Sequence, residues 1–308
     1  MVEQVSEQPY VTLNNGLRLP QVGLGTFLSD NKVEAIVKKA ILEDGYRLID
    51  TASCYKNEEF IGNALQEVFA TGTVKREDIY ITTKLFANEY EDVEGALRAS
   101  LAKLQTDYVD LYLIHWIRPF MTEDPETKAI TVGRTPMHKL WAQMENLVKL
   151  GLTRSIGVSN ATTVAILDLL TYAEIKPVTN QIEIHPYLSQ PDVLAFHKRL
   201  DITLTAYSPI GAPGLTKVNI IDEQVIKDIA AAHGRTPAQV ILNWHLHRGI
   251  LVIPKTLTAE RLPENFNSFG FTLTDEEYGQ IDALNKNQRL FDPKDWNGNG
   301  FVNGPYFQ

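Results

Sequence analysis

Asp50, Tyr55, Lys84 and His115 carry side chains that could share one reaction. A free phenol titrates near ~10, too high for a ready proton donor at neutral pH. An ammonium group beside it stabilises the phenolate and lowers that value. A carboxylate next to the ammonium keeps it charged and in place. A histidine can orient a carbonyl by hydrogen bonding, or relay a proton. The set would be a tuned acid that protonates an alkoxide as it forms. That is half of a carbonyl reduction. The other half is a hydride, which no side chain supplies, so the grouping implies a nicotinamide. Taken singly, each residue has a plainer use: Asp50 as a helix cap, Lys84 as a solvated strand end, His115 as a core histidine, Tyr55 as packing. The chemistry depends on their meeting.

The elements that must bring them together can be read from periodicity. VTLNNGLRLP (11–20) reads as a hairpin, with Asn15-Gly16 as a two-residue type I′ turn. Eight strands follow, at 22–25, 46–50, 79–84, 109–115, 154–159, 178–184, 202–208 and 249–255. Helical patterns lie at 32–44, 57–70, 89–104, 136–150, 160–173, 191–200, 222–233 and 236–247. Two more follow the last strand, at 259–266 and 275–287; Thr274 to Glu277 forms a capping box for the second. Strands that are apolar throughout need cover on both faces. Eight such units predict a single-domain (β/α)₈ TIM barrel spanning 1–308, with the hairpin closing its bottom, two extra C-terminal helices and the C-terminal tail over the active-site mouth. An open doubly wound sheet is the alternative, but Gly23 to Leu28 lacks the third glycine of a dinucleotide fingerprint.

In such a barrel the carboxyl ends of the strands form the active-site face. Read in order, those ends deliver Asp50, Lys84, His115, Ser159 with Asn160, Gln181, Tyr207 and Lys255. Seven of eight strands bringing a polar group to one rim is not explained by packing. Three long connections read as a substrate rim: 117–135, with Pro119 and Pro125; 209–221; and the tail 289–308, with Phe291, Trp296, Phe301, Tyr306 and Phe307.

Composition narrows the partners. The chain has 308 residues, 44% of them hydrophobic, enough for one large core. A net charge of −9 argues against nucleic acid or an anionic membrane as the main partner. No apolar run is long enough to span a membrane, and the amino terminus is polar with no apolar signal core. Cys54 is the only cysteine, which fits a reducing compartment, so a cytoplasmic location is expected. Metal chemistry fits poorly: His245 and His247 lie two apart on a helix and face different sides. Ser159 is not in a nucleophile elbow, so a serine hydrolase is also a weak fit.

The ordered motifs resemble the aldo-keto reductase family over nearly the whole chain. GYRLIDTASCYKNEEFIG (45–62) is similar to the family's most specific signature, ITTKL (81–85) to its lysine motif and LYLIHW (111–116) to its histidine motif. GLGTF (23–27), GVSN (157–160), NQIEIHPY (180–187), TAYSPIG (205–211) and IPKT (253–256) also fit. The resemblance implies that Tyr55 is the general acid, Lys84 its perturber, Asp50 the partner of Lys84 and His115 the substrate-orienting group. It implies NADPH as cofactor, with Tyr207 stacked on the nicotinamide and Ser159, Asn160 and Gln181 on its carboxamide. Lys255, Thr256 and Arg261 would hold the adenosine 2′-phosphate, Glu264 and Asn265 the adenine. Thr26, Asp50 and Ser208 would also touch the cofactor, and the 209–221 loop would fold over the pyrophosphate. Phe27, Phe86, His115 and Trp116 would contact a small aldehyde or sugar.

Within the family, RLFDPKDW (289–296) and IPKTLTAERLPEN (253–265) look most like fungal aldose and xylose reductases. A monomer or weak homodimer is the expected state. Two other classes compete: a Schiff-base lyase acting through Lys84, and a non-catalytic NADPH-binding regulatory subunit.

Overall fold

Short apolar runs form parallel strands with helices between them in the computed structural model, which describes residues 8–118, 121–124, 126–127, 129–293 and 306–307. A hairpin of β1 (Tyr10–Thr12) and β2 (Arg18–Pro20) comes first. The repeating units follow: β3 (Leu24–Gly25) and α1 (Val33–Leu42), β4 (Leu48–Asp50) and α2 (Glu58–Ala70), β5 (Tyr80–Leu85) and α3 (Val93–Leu104). Next come β6 (Leu111–Ile114), a small hairpin of β7 (Met121–Glu123) and β8 (Ile130–Val132), and α4 (Met137–Lys149). β9 (Ile156–Ser159), α5 (Thr163–Leu170), β10 (Thr179–Glu183), α6 (Pro191–Arg199) and β11 (Thr203–Tyr207) continue the alternation. Two helices, α7 (Gln224–His233) and α8 (Pro237–His247), lead to β12 (Leu251–Val252). α9 (Arg261–Phe266) and α10 (Asp275–Asp282) follow the last strand.

Eight strands lie side by side in the order β3-β4-β5-β6-β9-β10-β11-β12, each pair parallel. The two outer strands then meet. Val22 bridges Val252, Gly25 bridges Lys255, and Gly23 N donates to Val252 O at 2.9 Å. The sheet is therefore a closed (β/α)₈ barrel. A doubly wound sheet would reverse its strand order and keep two open edges.

Two apolar layers hold the barrel. Inside it, Leu48, Tyr80, Leu111, Leu113, Val178, Leu251 and Ile253 pack with Leu13 and Leu19 of the first hairpin. Outside it, strand residues such as Ile49, Ile81, Tyr112 and Val158 share a core with Val37, Ile61, Leu97 and Trp141 of the helices. Each such aliphatic side chain contributes roughly 1.5–3 kcal/mol when fully buried. Asn14 Nδ2 donates to Pro177 O and Asp201 O, both at 2.9 Å, just before β10 and β11. The hairpin thus seals the amino-terminal mouth of the barrel and leaves the carboxyl ends of the strands as the open face.

The hairpin turn differs from the expected type I′. Leu13 N donates to Leu17 O and Gly16 N to Leu13 O, which makes a three-residue loop, Asn14 to Gly16. Only Gly16, at φ +84°, takes the left-handed conformation there; a type I′ turn would need two such residues. Helix ends also shift. The pattern from residue 89 resolves into a 3₁₀ turn (Ala87–Glu89), and α3 begins later because Asp92 caps it, accepting from Gly95 N at 2.9 Å. α10 ends at Asp282 rather than 287. The β7–β8 hairpin lies within a stretch that carries no strand periodicity in the sequence.

The tail returns to the open face. Leu290 N and Phe291 N donate to the two carboxylate oxygens of Glu183 at 2.6 and 3.1 Å. Tyr306 and Phe307 pack against Trp116, with ring centroids 5.4 and 6.1 Å apart. Residues 1–7, Pro119, Pro125, Trp296 and Phe301 lie outside the described residues.

Candidate active site

β4 ends on Asp50, and the chain then turns through a 3₁₀ segment (Ser53–Tyr55) that sets Tyr55 back over the strand tips. The turn closes on Lys56 in the left-handed conformation, φ +58°. Asn57 Nδ2 holds this turn to β3 by donating to Thr26 O at 2.8 Å, and Thr26 Oγ1 donates to Asp50 O at 2.9 Å. Lys84 arrives from β5, the neighbouring strand. Its Nζ is fully buried and has three acceptors: Asp50 Oδ1 at 2.5 Å, Thr51 O at 2.8 Å and Tyr55 Oη at 3.5 Å. Gln181 Nε2, from β10 across the barrel, donates to the other Asp50 oxygen at 2.7 Å. Both carboxylate oxygens of a buried acid are thereby satisfied, as they must be.

His115 follows β6. Its ring stands edge-on to Tyr55 and to Phe86, each with centroids 5.7 Å apart. Phe27 covers the other side of Tyr55 at 5.0 Å. Asn160, at φ +56°, donates from Nδ2 to His115 O at 3.0 Å and accepts from Tyr207 Oη at 2.9 Å. These side chains line one cleft of about 1540 Å³. From its aromatic end at Phe27, Phe86 and Trp116 it passes Asp50, Tyr55, His115, Asn160, Gln181, Tyr207 and Ser208. Pro209, Ile210 and Ala212 to Leu215 line the middle, and Lys255, Thr256, Arg261, Glu264 and Asn265 the far part. Ser208, Gly211, Ala212 and Gly214 all have positive φ, so this loop is tightly coiled. At Gly211 a Cβ would meet Ile220 Cδ1 at 2.5 Å, so the close turn requires glycine.

Two expected site residues do not reach the cleft wall. Lys84 lies behind Asp50 and Tyr55. Ser159 lies behind Asn160: its hydroxyl donates to Gln181 O at 2.7 Å and accepts from Asn160 Nδ2 at 3.2 Å. Ser159 therefore supports Asn160 and the Gln181 backbone from behind the cleft wall. Lys84 is equally ill-placed for an imine, because its nitrogen is buried and its donors are engaged.

The electrostatics depart from expectation in one respect. Burial holds the Tyr55 phenol well above its ordinary value, and the Asp50 carboxylate adds to the effect. Lys84 does not reverse this, because its charge is matched by Asp50 at 2.5 Å while the phenol oxygen is 3.5 Å away. Burial, then the charge of Lys84, holds His115 well below the ordinary range, so the ring is neutral. Burial lowers Lys255, with Asp30 opposing. Neither Lys255 nor Arg261 ion-pairs with a carboxylate among the described residues.

Comparison with known proteins decides the family. The model of the Aldo/keto reductase family matches residues 18–286. "Aldose reductase B" of Dictyostelium discoideum is 42% identical over 289 residues, covering 89% of this chain and 92% of the relative. "Aldo-keto reductase family 1 member A1-A" of Danio rerio is 40% identical over 299 residues, covering 92% and 91%. The solved aldose reductase of Schistosoma japonicum superposes with a TM-score of 0.86 at 37% identity, covering 92% of this chain and 95% of that one.

The chain belongs to the aldo-keto reductase family. Members of the family are oxidoreductases that use a nicotinamide cofactor.

Within the aldo-keto reductase frame, the two histidines of α8 lie outside the cleft and pack within the fold. His245 Nε2 binds Pro209 O at 3.0 Å, and His247 stacks on Tyr278. Among the described residues no cluster could hold a metal ion, and no helix is long and apolar enough to cross a membrane. Cys54 and Glu89 belong to the site although neither stands at a strand end. Cys54 lines the cleft with Sγ 3.5 Å from His115 Nδ1, and its place inside the signature 45–62 was the available signal. Glu89 accepts from Ser53 Oγ at 2.7 Å and Phe86 N at 2.8 Å, tying the Tyr55 turn to the aromatic wall.

Proposed function

We propose that the chain is one catalytic domain that reduces aldehydes, aldoses among them, to alcohols with NADPH. The observation that carries this reading is the buried chain Gln181–Asp50–Lys84–Tyr55, with His115 beside it on an open cleft. The residues fit the cofactor. Two cations, Lys255 and Arg261, line the cleft with no salt bridge to either among the described residues, Asp30 acting on Lys255 only at longer range, which leaves them available to a 2′-phosphate. NADH would leave them unmatched, which favours NADPH. Asn160, Gln181 and Tyr207 would hold the nicotinamide, Lys255, Thr256 and Arg261 the phosphate, Glu264 and Asn265 the adenine, and Thr26 and Ser208 the stretch between. When bound, the cofactor supplies a hydride to the carbonyl carbon.

The chain supplies the proton. Lys84 donates to Tyr55 Oη, so the phenol's own hydrogen is free for the substrate oxygen. High placement of the Tyr55 titration keeps that hydrogen in place until an alkoxide, a stronger base still, develops. Neutral His115 orients the carbonyl. Transfer of the proton gives the alcohol and a phenolate, which Lys84 stabilises at closest approach and water reprotonates. Phe27, Phe86 and Trp116 form a wall suited to both apolar aldehydes and the ring faces of sugars.

The test is loss of NADPH absorbance with a panel of aromatic, aliphatic and sugar aldehydes. Turnover is expected with several. Tyr55→Phe should bind NADPH as before and lose turnover by about 100-fold or more, as removal of a general acid does. No turnover with any aldehyde would overturn the reading.

A further inference from the structure

His115 has two ring nitrogens, and a neutral ring can offer its single hydrogen from only one. Which one decides whether it can donate to a carbonyl oxygen. The rings of Tyr55 and Phe86 fix its plane but do not distinguish the two nitrogens. Asn160 binds the His115 backbone carbonyl, not the ring. Among the described residues, one polar group meets the ring: Cys54, with Sγ 3.5 Å from Nδ1. Nε2 has no protein partner among them, and the residue lines the cleft.

We infer that Cys54 sets the tautomer of His115: its thiol hydrogen is donated to Nδ1, which leaves the imidazole hydrogen on Nε2 for the substrate oxygen. The inference rests on the reading of the cleft as a carbonyl-reduction site. The direction of the bond follows from the chemistry of the two groups. Burial pushes the Cys54 thiol up to about 12, against a lowering by Lys84, so sulfur keeps its hydrogen at neutral pH. An imidazole nitrogen is a good acceptor and sulfur a weak one, so S–H to nitrogen outcompetes N–H to sulfur. The opposite tautomer would set a bare Nε2 lone pair against a carbonyl oxygen. A thiol held protonated is also a poor nucleophile, so it can sit in an aldehyde cleft without trapping the substrate. Cys54 is thus a positioning residue that acts through His115.

The test uses the full chain, Cys54→Val and Cys54→Ser, each with ¹⁵N-labelled histidine. Long-range ¹H–¹⁵N spectra at pH 7 report which ring nitrogen carries hydrogen. The wild type is expected to show Nε2–H and an unprotonated, hydrogen-bonded Nδ1. Cys54→Val should shift the Nδ1 signal. It should also lower kcat with benzaldehyde about threefold to tenfold, the range of one neutral hydrogen bond, at unchanged NADPH affinity. Cys54→Ser, which keeps a donor, should recover most of both. Hydrogen on Nδ1 in the wild type, or no change in either readout in Cys54→Val, would overturn the inference. Spectra as expected with no turnover in any of the proteins would uphold the tautomer assignment and overturn the reductase reading instead.

Discussion

Arg261 and Tyr55 mark the two chemistries of the cleft, and single substitutions separate them. Arg261→Ala removes one of two cations set against the proposed phosphate. NADPH affinity should fall by about 10- to 100-fold, the range for a charge-assisted contact. NADH affinity should change little, and fluorescence titration with both cofactors checks it; equal losses would mean the phosphate is held elsewhere. At this scale the sequence conveys residue type well and environment poorly. Asp50, Lys84 and His115 meet as their positions at strand ends predict, and the turn after Asp50 brings Tyr55 to them. That Tyr55 lies above rather than below its ordinary titration range was not legible, because it depends on how deeply one turn is buried and on a 2.5 Å pairing that matches the lysine's charge. Ser159 likewise reads as a cleft residue but turns inward to Gln181 O.

Helix packing sets the accuracy with which the strands hold the site. α2 and α3 approach closely at Gly62, where a Cβ would lie 2.9 Å from the Leu104 carbonyl carbon and 3.0 Å from its Cα. Gly→Ala within a helix normally stabilises by roughly 0.5–1 kcal/mol. Here the obstacle is backbone, which cannot step aside, and overpacking costs roughly 1–3 kcal/mol. Gly62→Ala should therefore be net destabilising, seen as a lower urea midpoint; a higher midpoint would refute the close contact. Element types and order were legible because the barrel alternates two clear periods. Ends were less so: α3 starts where Asp92 caps it, and α10 stops at Asp282, both choices made by local hydrogen bonds rather than by pattern. The β7–β8 hairpin was invisible because its register is set by pairing, not by alternation.

The whole molecule carries buried neutral histidines, and these set its response to acid. Burial lowers His245 to about 3 and lowers His197 as well, and both are fully buried. Between their folded and unfolded values the unfolded chain binds more protons, so stability rises with pH and is lost as pH falls below about 6.5. At pH 5, His245 alone should cost roughly 2 kcal/mol, since each tenfold rise in proton activity below that point favours the unfolded chain by about 1.4 kcal/mol. Urea midpoints should fall steadily from pH 7 to pH 5, and His245→Gln should flatten the slope; a level profile would contradict the burial argument. Closure of the barrel was legible only as a strand count. The bridges from Val22 to Val252 and from Gly25 to Lys255 are non-local and leave no trace in periodicity.

Glu183 is wholly enclosed at the end of β10, with His185 at 2.9 Å and the backbone of Leu290 and Phe291 on its two oxygens. Cutting the polypeptide after residue 288 would therefore do more than open the pocket. It would strip two amide donors and Arg289 from a carboxylate that water cannot easily reach. Such a shortened protein should melt at a lower temperature than the intact one even with no ligand present, and Glu183→Gln should restore part of the difference.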